Sequence, residues 1–143
     1  MKSYKSGSHT RYDVKYQIVW ITKYRKPIIE GPVAERLREL IRQICMQNEV
    51  TILKGHVSKD HIHVLVSCSP SLAVSRLVQK MKGSSSHKLF EEFAHLRKQY
   101  WGQHLWARGY FVATTGTVTD EVVKDHIEHQ DSEIADDDFR IGS

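Results

Sequence analysis

The chain has 143 residues, which suits one domain with its own hydrophobic core and is too short for two ordinary domains. Its N-terminal region is polar, and no signal-like segment precedes a cleavage site. No uninterrupted apolar stretch approaches the roughly 18 residues that span a bilayer. We therefore expect a soluble, cytoplasmic protein without a membrane-spanning segment.

The net charge of +4 is distributed unevenly along the chain. Residues 1–118 carry 19 Lys and Arg against 8 Asp and Glu, whereas residues 119–143 carry 2 against 9. A basic body favours a polyanionic partner, of which nucleic acid is the commonest, although a merely cationic, solvated surface would have the same composition. We predict a single domain over residues 1–130 and an acidic, flexible tail over residues 131–143.

The first half of the chain alternates between strand and helix patterns. Residues 14–22 are β-branched and aromatic, which predicts a strand, and a basic, turn-rich connection follows. Pro32 suits the first turn of a helix, and apolar residues then recur every three or four positions to about Asn48. Two further strands, residues 50–57 and His61–Cys68, are separated by three residues, a spacing that fits an antiparallel hairpin.

In the second half, Pro70 and Ser71 are expected to end the third strand and cap a second helix. Gly83 and the serines at 84–86 weaken that helix, so another backbone or a ligand could approach closely there. A short strand is predicted over residues 110–115, and a last helix after Thr119. The buried stripe of the second helix is predicted to consist of Val74, Leu77, Val78, Met81, Leu89 and Phe93.

The order of these elements, β-α-β-β-α-β-α, predicts the fold class. The first six elements are those of an α+β, ferredoxin-like (RRM-like) split βαβ sandwich, in which an antiparallel sheet carries two helices on one face. Cys45 and Cys68 lie in apolar contexts without C-x-x-C spacing, so we expect buried thiols and neither a disulfide nor a zinc site.

Two histidines begin the apolar third strand. Because side chains alternate across a strand, Ile62 and Val64 share one face, while His61, His63 and Leu65 share the other. Burial of the apolar set beneath the helices would leave both imidazoles side by side on the uncovered face. The pair could hold one metal ion with further ligands from elsewhere, or could simply be polar groups on a solvated face.

In the last helix, Ile127 belongs to an apolar stripe, and His126 and Gln130 lie one turn apart along an adjoining stripe. Histidine and glutamine at this spacing are usually surface residues. Whether His126 and Gln130 belong to a functional site therefore depends on motifs elsewhere in the chain.

Four ordered motifs, "DHIHVLV", "LVQKMKGSSSHKLF", "LWARGYFVATTG" and "VVKDHIEHQ", resemble those of the single-tyrosine HUH transposases of the insertion-sequence 200/605 family. Four motifs in order are far more specific than any one of them. The resemblance covers nearly the whole chain and implies the same ferredoxin-like fold with a nucleophile-bearing C-terminal helix. It also implies a homodimer that binds subterminal hairpins of single-stranded DNA and breaks and rejoins strands by covalent phosphoryl transfer.

The resemblance further implies a divalent metal ion, Mg²⁺ or Mn²⁺, bound by His61, His63 and Gln130. Such an ion polarises and orients the scissile phosphate. The nucleophile position departs from the family pattern, because "KDHIEHQ" has His126 where the family has tyrosine. Imidazole can attack phosphorus, but it reaches less far than a phenol, and a displacement of roughly 1 Å can cost on the order of 100-fold in rate. We expect cleavage to be lost or strongly impaired, whether the chain is an inactive natural copy or an engineered variant; a working histidine nucleophile is the remaining explanation.

DNA binding would not depend on His126. Trp101, Trp106 and Tyr110 could stack on unpaired bases, although we expect at least one tryptophan to be buried. Apolar groups such as Leu65 on the uncovered face favour dimerisation. The residues that we expect to neutralise DNA phosphates are Arg11, Lys23, Arg25, Lys26, Arg76, Lys80 and His87.

The alternative function is a non-catalytic protein that binds DNA hairpins and retains the fold and the basic surface. A third hypothesis, an unrelated ferredoxin-like module that binds metal or RNA, leaves the four ordered motifs unexplained.

Overall fold

The computed structural model describes residues 14–101, 104–114 and 127–128. Several predictions lie outside these residues: Arg11, His126, Gln130, the tail at 131–143 and most of the last helix. Ile127 and Glu128 are helical, in agreement with the predicted last helix.

Four strands form one antiparallel sheet: β1, Val14–Ile21; β2, Thr51–Val57; β3, His61–Cys68; and β4, Phe111–Thr114. Their spatial order is β2-β3-β1-β4, and every neighbouring pair is antiparallel. The three-residue turn before β3 is closed by the Ser58 amide, which donates to the His61 carbonyl over 2.9 Å. The predicted hairpin and the ferredoxin-like class are therefore confirmed.

Two long helices, α1 (Pro32–Gln47) and α2 (Val74–Glu92), cover one face of the sheet. Pro32 begins α1 as predicted, after Gly31, whose φ of 57° lies in the left-handed region that glycine tolerates. A short helix, α3 (Ala94–Gln99), follows α2 and was not predicted. The apolar face predicted for α1 is buried throughout: Val33, Leu37, Leu40, Ile41 and Ile44.

The predicted cap of α2 is wrong. The helix begins at Val74 and its N-cap position is Ala73, which makes no side-chain cap bond. Ser71 instead joins a local turn, in which its amide donates to the Ser69 hydroxyl and the two hydroxyls lie 2.8 Å apart. Because a serine can bond to nearby backbone in a turn as readily as at a helix start, its position alone did not distinguish the two.

The serine-rich part of α2 contacts an indole ring. Ser85 is buried, donates to the Met81 carbonyl and accepts a 2.9 Å bond from Trp106 Nε1. Trp106 in turn packs edge-on against Trp20, with ring centroids 5.8 Å apart. The part of α2 where we expected a backbone or a ligand to approach is therefore contacted by the buried ring of Trp106. A Cβ atom placed on Gly83 would have no neighbouring atom within 4 Å, so close approach does not explain that glycine.

The main core lies between the helices and the sheet. The predicted stripe of α2 is buried at Leu77, Val78, Met81 and Leu89 and partly buried at Val74 and Phe93. On β3, Ile62, Val64, Val66 and Cys68 face the same core. Cys45 and Cys68 are both buried, as predicted. None of the helices in the described ranges combines the length and the hydrophobicity that a bilayer span requires.

The other face of the sheet is not entirely uncovered. A second apolar cluster contains Val19 and Ile21 of β1 together with Ala107 and Ile127, and each of these side chains is at most 6% exposed. Ile127 therefore packs on the face of the sheet opposite α1 and α2. The expectation of a wholly open face is corrected at this end of β1.

Candidate metal centre and nucleic-acid interface

Strand β3 presents the two histidines as the alternation predicted. Its burial pattern alternates, so that His61 and His63 are half-buried while Ile62 and Val64 are buried. In the β1–β3 register, His61 lies opposite Ile21, and His63 lies opposite Val19. Since directly paired residues share a face of the sheet, both imidazoles lie beside the cluster that contains Ile127.

The His61 ring is held by a neighbouring carboxylate. Its Nδ1 lies 2.9 Å from Asp60 Oδ1, and Asp60 Oδ2 lies 3.1 Å from Arg25 Nε. The bond from His61 and the charge of Arg25 hold the pKa of Asp60 below its usual value, in spite of burial, which acts in the opposite direction. With Nδ1 donating to this carboxylate, Nε2 of His61 is the nitrogen that can bind a metal ion.

The His63 ring contacts Gln17, a residue that the sequence did not single out. Its Nε2 forms a hydrogen bond with Gln17 Oε1 across the β1–β3 pair. A metal ion at Nε2 of His63 would have to displace or share that amide oxygen, which is itself a possible ligand. The alternation of β1 could have placed Gln17 on this face, since it lies two residues before Val19.

A third histidine, also missed, lies on the neighbouring strand. His56 of β2 is exposed and is paired directly with His63 in the β2–β3 register. Within the described ranges, however, no three His, Cys, Asp or Glu side chains are arranged to hold a metal ion. The described part of the chain therefore supplies two of the predicted ligands, and Gln130 lies outside it.

The predicted DNA-binding residues form two separate sets. Lys23, Arg25 and Lys26 follow β1 directly, and Arg25 connects this turn to Asp60 and hence to His61. The other set, Arg76, Lys80 and His87, is exposed on the outer face of α2, as predicted. α2 packs on the face of the sheet opposite the histidines, so this second set lies away from His61 and His63.

Lys82 connects α2 to the segment before β4. Its ammonium donates to the carbonyls of Ala107 and Gly109, over 2.8 and 2.9 Å. Burial lowers the pKa of Lys82 to about 8. Since Ala107 packs with Ile127, this lysine helps to hold the surface that Ile127 contacts.

The sequence profile of a family described as "Transposase IS200 like" matches residues 10–130. The chain belongs to the IS200-like transposase family. It is 37% identical over 126 residues to the transposase of insertion sequence element IS200 from Salmonella typhimurium, covering 88% of this chain and 82% of the relative. It is 32% identical to the ISDra2 transposase TnpA of Deinococcus radiodurans, covering 88% and 90% of the two chains.

Solved structures agree with this membership. The crystal structure of an inferred transposase from D. radiodurans R1 superposes with a TM-score of 0.81 at 32% identity, covering 88% of this chain and 97% of that one. A REP-associated tyrosine transposase bound to a REP hairpin superposes with a TM-score of 0.56 at 11% identity, covering 92% and 74%. The second likeness establishes the shared fold alone.

Proposed function

We propose that this family member acts on single-stranded DNA, binds hairpins near the ends of a mobile element, and has a centre for metal-assisted phosphoryl transfer. The observation that carries the proposal is the pair His61 and His63, presented side by side and next to the cluster that contains Ile127. Membership in the transposase family makes strand cleavage and rejoining the reaction that such a centre would serve.

A divalent ion, proposed to be Mg²⁺ or Mn²⁺ from the family resemblance, would be held by His61 and His63 with Gln130 as a further ligand. When bound, the ion supplies Lewis acidity at the scissile phosphate. Asp60 fixes the tautomer of His61 and directs its Nε2 away from the carboxylate, and a carboxylate behind a ligand histidine usually strengthens metal binding. Nitrogen ligands do not themselves select Mg²⁺, so the choice of metal follows from the family resemblance.

Cleavage by this chain is proposed to be impaired, because the position of the family's tyrosine holds His126. Ile127, the next residue, packs against Val19 and Ile21 on the histidine face, which supports the assignment of this helix to the site. An imidazole nitrogen lies closer to its own backbone than a phenol oxygen does, and nucleophilic attack tolerates little displacement.

Hairpin binding is supported by the basic surface and by the REP-associated transposase, whose structure contains a REP hairpin. Arg76 and Lys80 are exposed cations one turn apart on α2, a spacing suited to successive phosphates. The second candidate function is a non-catalytic hairpin-binding protein; His126 favours it, since DNA binding requires no nucleophile.

We further propose a homodimer, in line with the family resemblance. Leu65 and Leu53 support it, since Leu65 is only half-buried on the histidine face and Leu53, on edge strand β2, is 40% exposed. Sedimentation at twice the 16.6 kDa mass of one chain is the measurement that checks it.

The test of the proposed function compares the chain with His126→Tyr. Each is incubated with labelled single-stranded hairpin ends and Mg²⁺ or Mn²⁺, and products are separated under denaturing conditions. We expect a covalent adduct and cleavage from His126→Tyr, and cleavage slower by a factor on the order of 100 or more from the chain itself. An acid-labile adduct on His126 formed at a comparable rate would instead establish a histidine nucleophile.

His61→Ala and His63→Ala, each in the His126→Tyr background, should abolish metal-dependent cleavage and leave most hairpin binding intact. His56→Ala is the matched control, because His56 pairs with His63 but is not a predicted ligand. Loss of folding in the His61 and His63 variants would show that the pair is structural, and equal affinity for hairpins and unstructured strands would contradict the proposed DNA specificity.

A further inference from the structure

A cleft of about 290 Å³ opens beside the turn that follows β1. Its lining residues are Lys23, Tyr24, Lys26, Gln99, Tyr100 and Trp101. This volume lies near the lower limit of roughly 300 Å³ for small-molecule pockets, so the cleft suits a group no larger than one nucleotide.

Trp101 is the most unusual side chain of the cleft. It is 86% exposed, whereas Trp20 and Trp106, the other two tryptophans of the chain, are at most 5% exposed. An indole left in water forgoes the burial that large aromatic residues usually obtain, and exposed aromatic surface commonly marks a binding site. Trp101 is therefore available to stack on a planar ligand.

The remainder of the cleft combines aromatic rings with positive charge. The ammonium of Lys26 lies 5.1 Å from the centre of the Tyr100 ring and 5.9 Å from that of Tyr24, and Lys23 lies 5.3 Å from the Tyr24 ring. Tyr100 is fixed at the base, because its hydroxyl donates to the Lys23 carbonyl over 3.0 Å. Two cations held over rings suit an anionic ligand that also carries a flat apolar part.

The backbone of the cleft is strained on both sides. Tyr24 and Trp101, which line the cleft, have φ values of 63° and 59°, and Arg25, next to Tyr24 in the chain, has a φ of 50°, all in the left-handed region that bulky side chains rarely adopt. Such residues concentrate at ligand-binding sites, where the surrounding structure maintains a conformation that is locally unfavourable. Two such residues in the lining and a third beside it agree with a preformed binding site.

We infer that this cleft binds one unpaired nucleotide of single-stranded DNA, with the base stacked on Trp101 and the phosphate near Lys23 and Lys26. Arg25, on the same turn, bonds to Asp60, which bonds to His61, so a strand seated in the cleft would lie next to the candidate metal centre. This assignment rests on the proposed function and adds to it a contact for the single-stranded DNA that flanks the hairpin.

The test uses the full chain and an octamer of thymidine nucleotides, which forms no base pairs. We expect the octamer to quench the emission of the exposed Trp101, and Trp101→Phe to abolish the quenching while it retains binding within about threefold. Trp101→Ala should weaken binding of a labelled octamer about tenfold, a loss of about 1.4 kcal/mol, since the variant removes the ring on which one base stacks. Lys23→Ala and Lys26→Ala should each weaken it and reduce its salt dependence.

Met46→Ala and Arg42→Ala are the matched controls, because both residues are exposed on α1, and neither should change octamer binding. Heparin, a polyanion without bases, should bind without quenching Trp101. Equal quenching by heparin, unchanged octamer affinity in Trp101→Ala, or no binding of the octamer would each overturn the assignment.

The failure of this assignment is distinguishable from failure of the proposed function. If hairpin ends bind tightly and Trp101 emission does not respond to their single-stranded flanks, the cleft assignment is wrong and hairpin binding stands. If the octamer quenches Trp101 but hairpins bind no better than unstructured strands, the cleft assignment stands and the proposed hairpin specificity is wrong.

Discussion

Asp60 is bonded on both sides, to His61 through one carboxylate oxygen and to Arg25 through the other. A histidine whose Nδ1 is occupied by a carboxylate keeps one tautomer and one ring orientation, which leaves Nε2 for a ligand. This arrangement makes Asp60 a positioning residue for the proposed metal centre. Its backbone contributes separately, since its carbonyl accepts from the Thr22 amide over 2.9 Å, and that bond does not depend on the side chain.

Asp60→Ala is expected to weaken binding of Mn²⁺ by about 10- to 100-fold, because His61 loses the partner that orients it. Titration calorimetry measures the affinity directly, and circular dichroism checks that the fold is retained. Glu30→Ala is the control, since Glu30 is an exposed acid that forms a long, 3.9 Å ion pair with Lys59. Equal affinity in Asp60→Ala and Glu30→Ala would mean that Asp60 does not position His61.

The elements show which parts of the fold a sequence pattern can predict. The bounds of α1 and β3 were predicted to within about a residue, because periodic burial and turn residues determine them locally. The α2 cap was wrong and α3 was missed, since short local hydrogen bonds decide both. The histidine pair was predictable from alternation alone, but the contact of His63 with Gln17 joins residues 46 positions apart and depends on the strand register.

Lys82, on α2, is expected to make the stability of the fold depend on pH. Its pKa falls from 10.5 to about 8 in the fold, so between these values the unfolded chain binds a proton that the folded chain does not. The free energy of unfolding therefore rises as the pH increases above about 8, and Lys82 contributes up to about 1.4 kcal/mol per pH unit to this rise. Denaturant unfolding at several pH values should show that the free energy of unfolding of the wild type rises relative to that of Lys82→Met over this interval.

The comparison with Lys82→Met removes the contribution of other titrating groups, such as Cys45, whose pKa burial raises to about 11. Lys88→Met, on the same helix, replaces a lysine whose side chain is 46% exposed and should follow the wild-type pH profile. A difference between wild type and Lys82→Met that does not change with pH would show that the Lys82 amine titrates normally in the fold.

At the scale of the whole molecule, the two cationic surfaces come from different elements. The turn after β1 is connected to His61 through Arg25 and Asp60, whereas the outer face of α2 lies on the side of the sheet away from the histidines. Sequence predicted that both sets would be exposed to DNA but could not show their separation, because this depends on which face of the sheet α2 covers. Two separated surfaces suit a ligand with two parts, such as a paired stem and an unpaired strand.

Arg76→Ala combined with Lys80→Ala should weaken hairpin binding and lower the slope of log affinity against log salt by about 1.8, since each phosphate contact contributes about 0.9 on duplex DNA. Binding of the thymidine octamer in the cleft should change much less, because none of the residues that line the cleft belongs to α2. Fluorescence anisotropy between about 50 and 200 mM salt measures both slopes. Arg38→Ala combined with Arg42→Ala makes the same charge change on α1 and serves as the control. An equal loss of hairpin affinity in this control would mean that the effect of the α2 variant comes from net charge and not from phosphate contacts at Arg76 and Lys80.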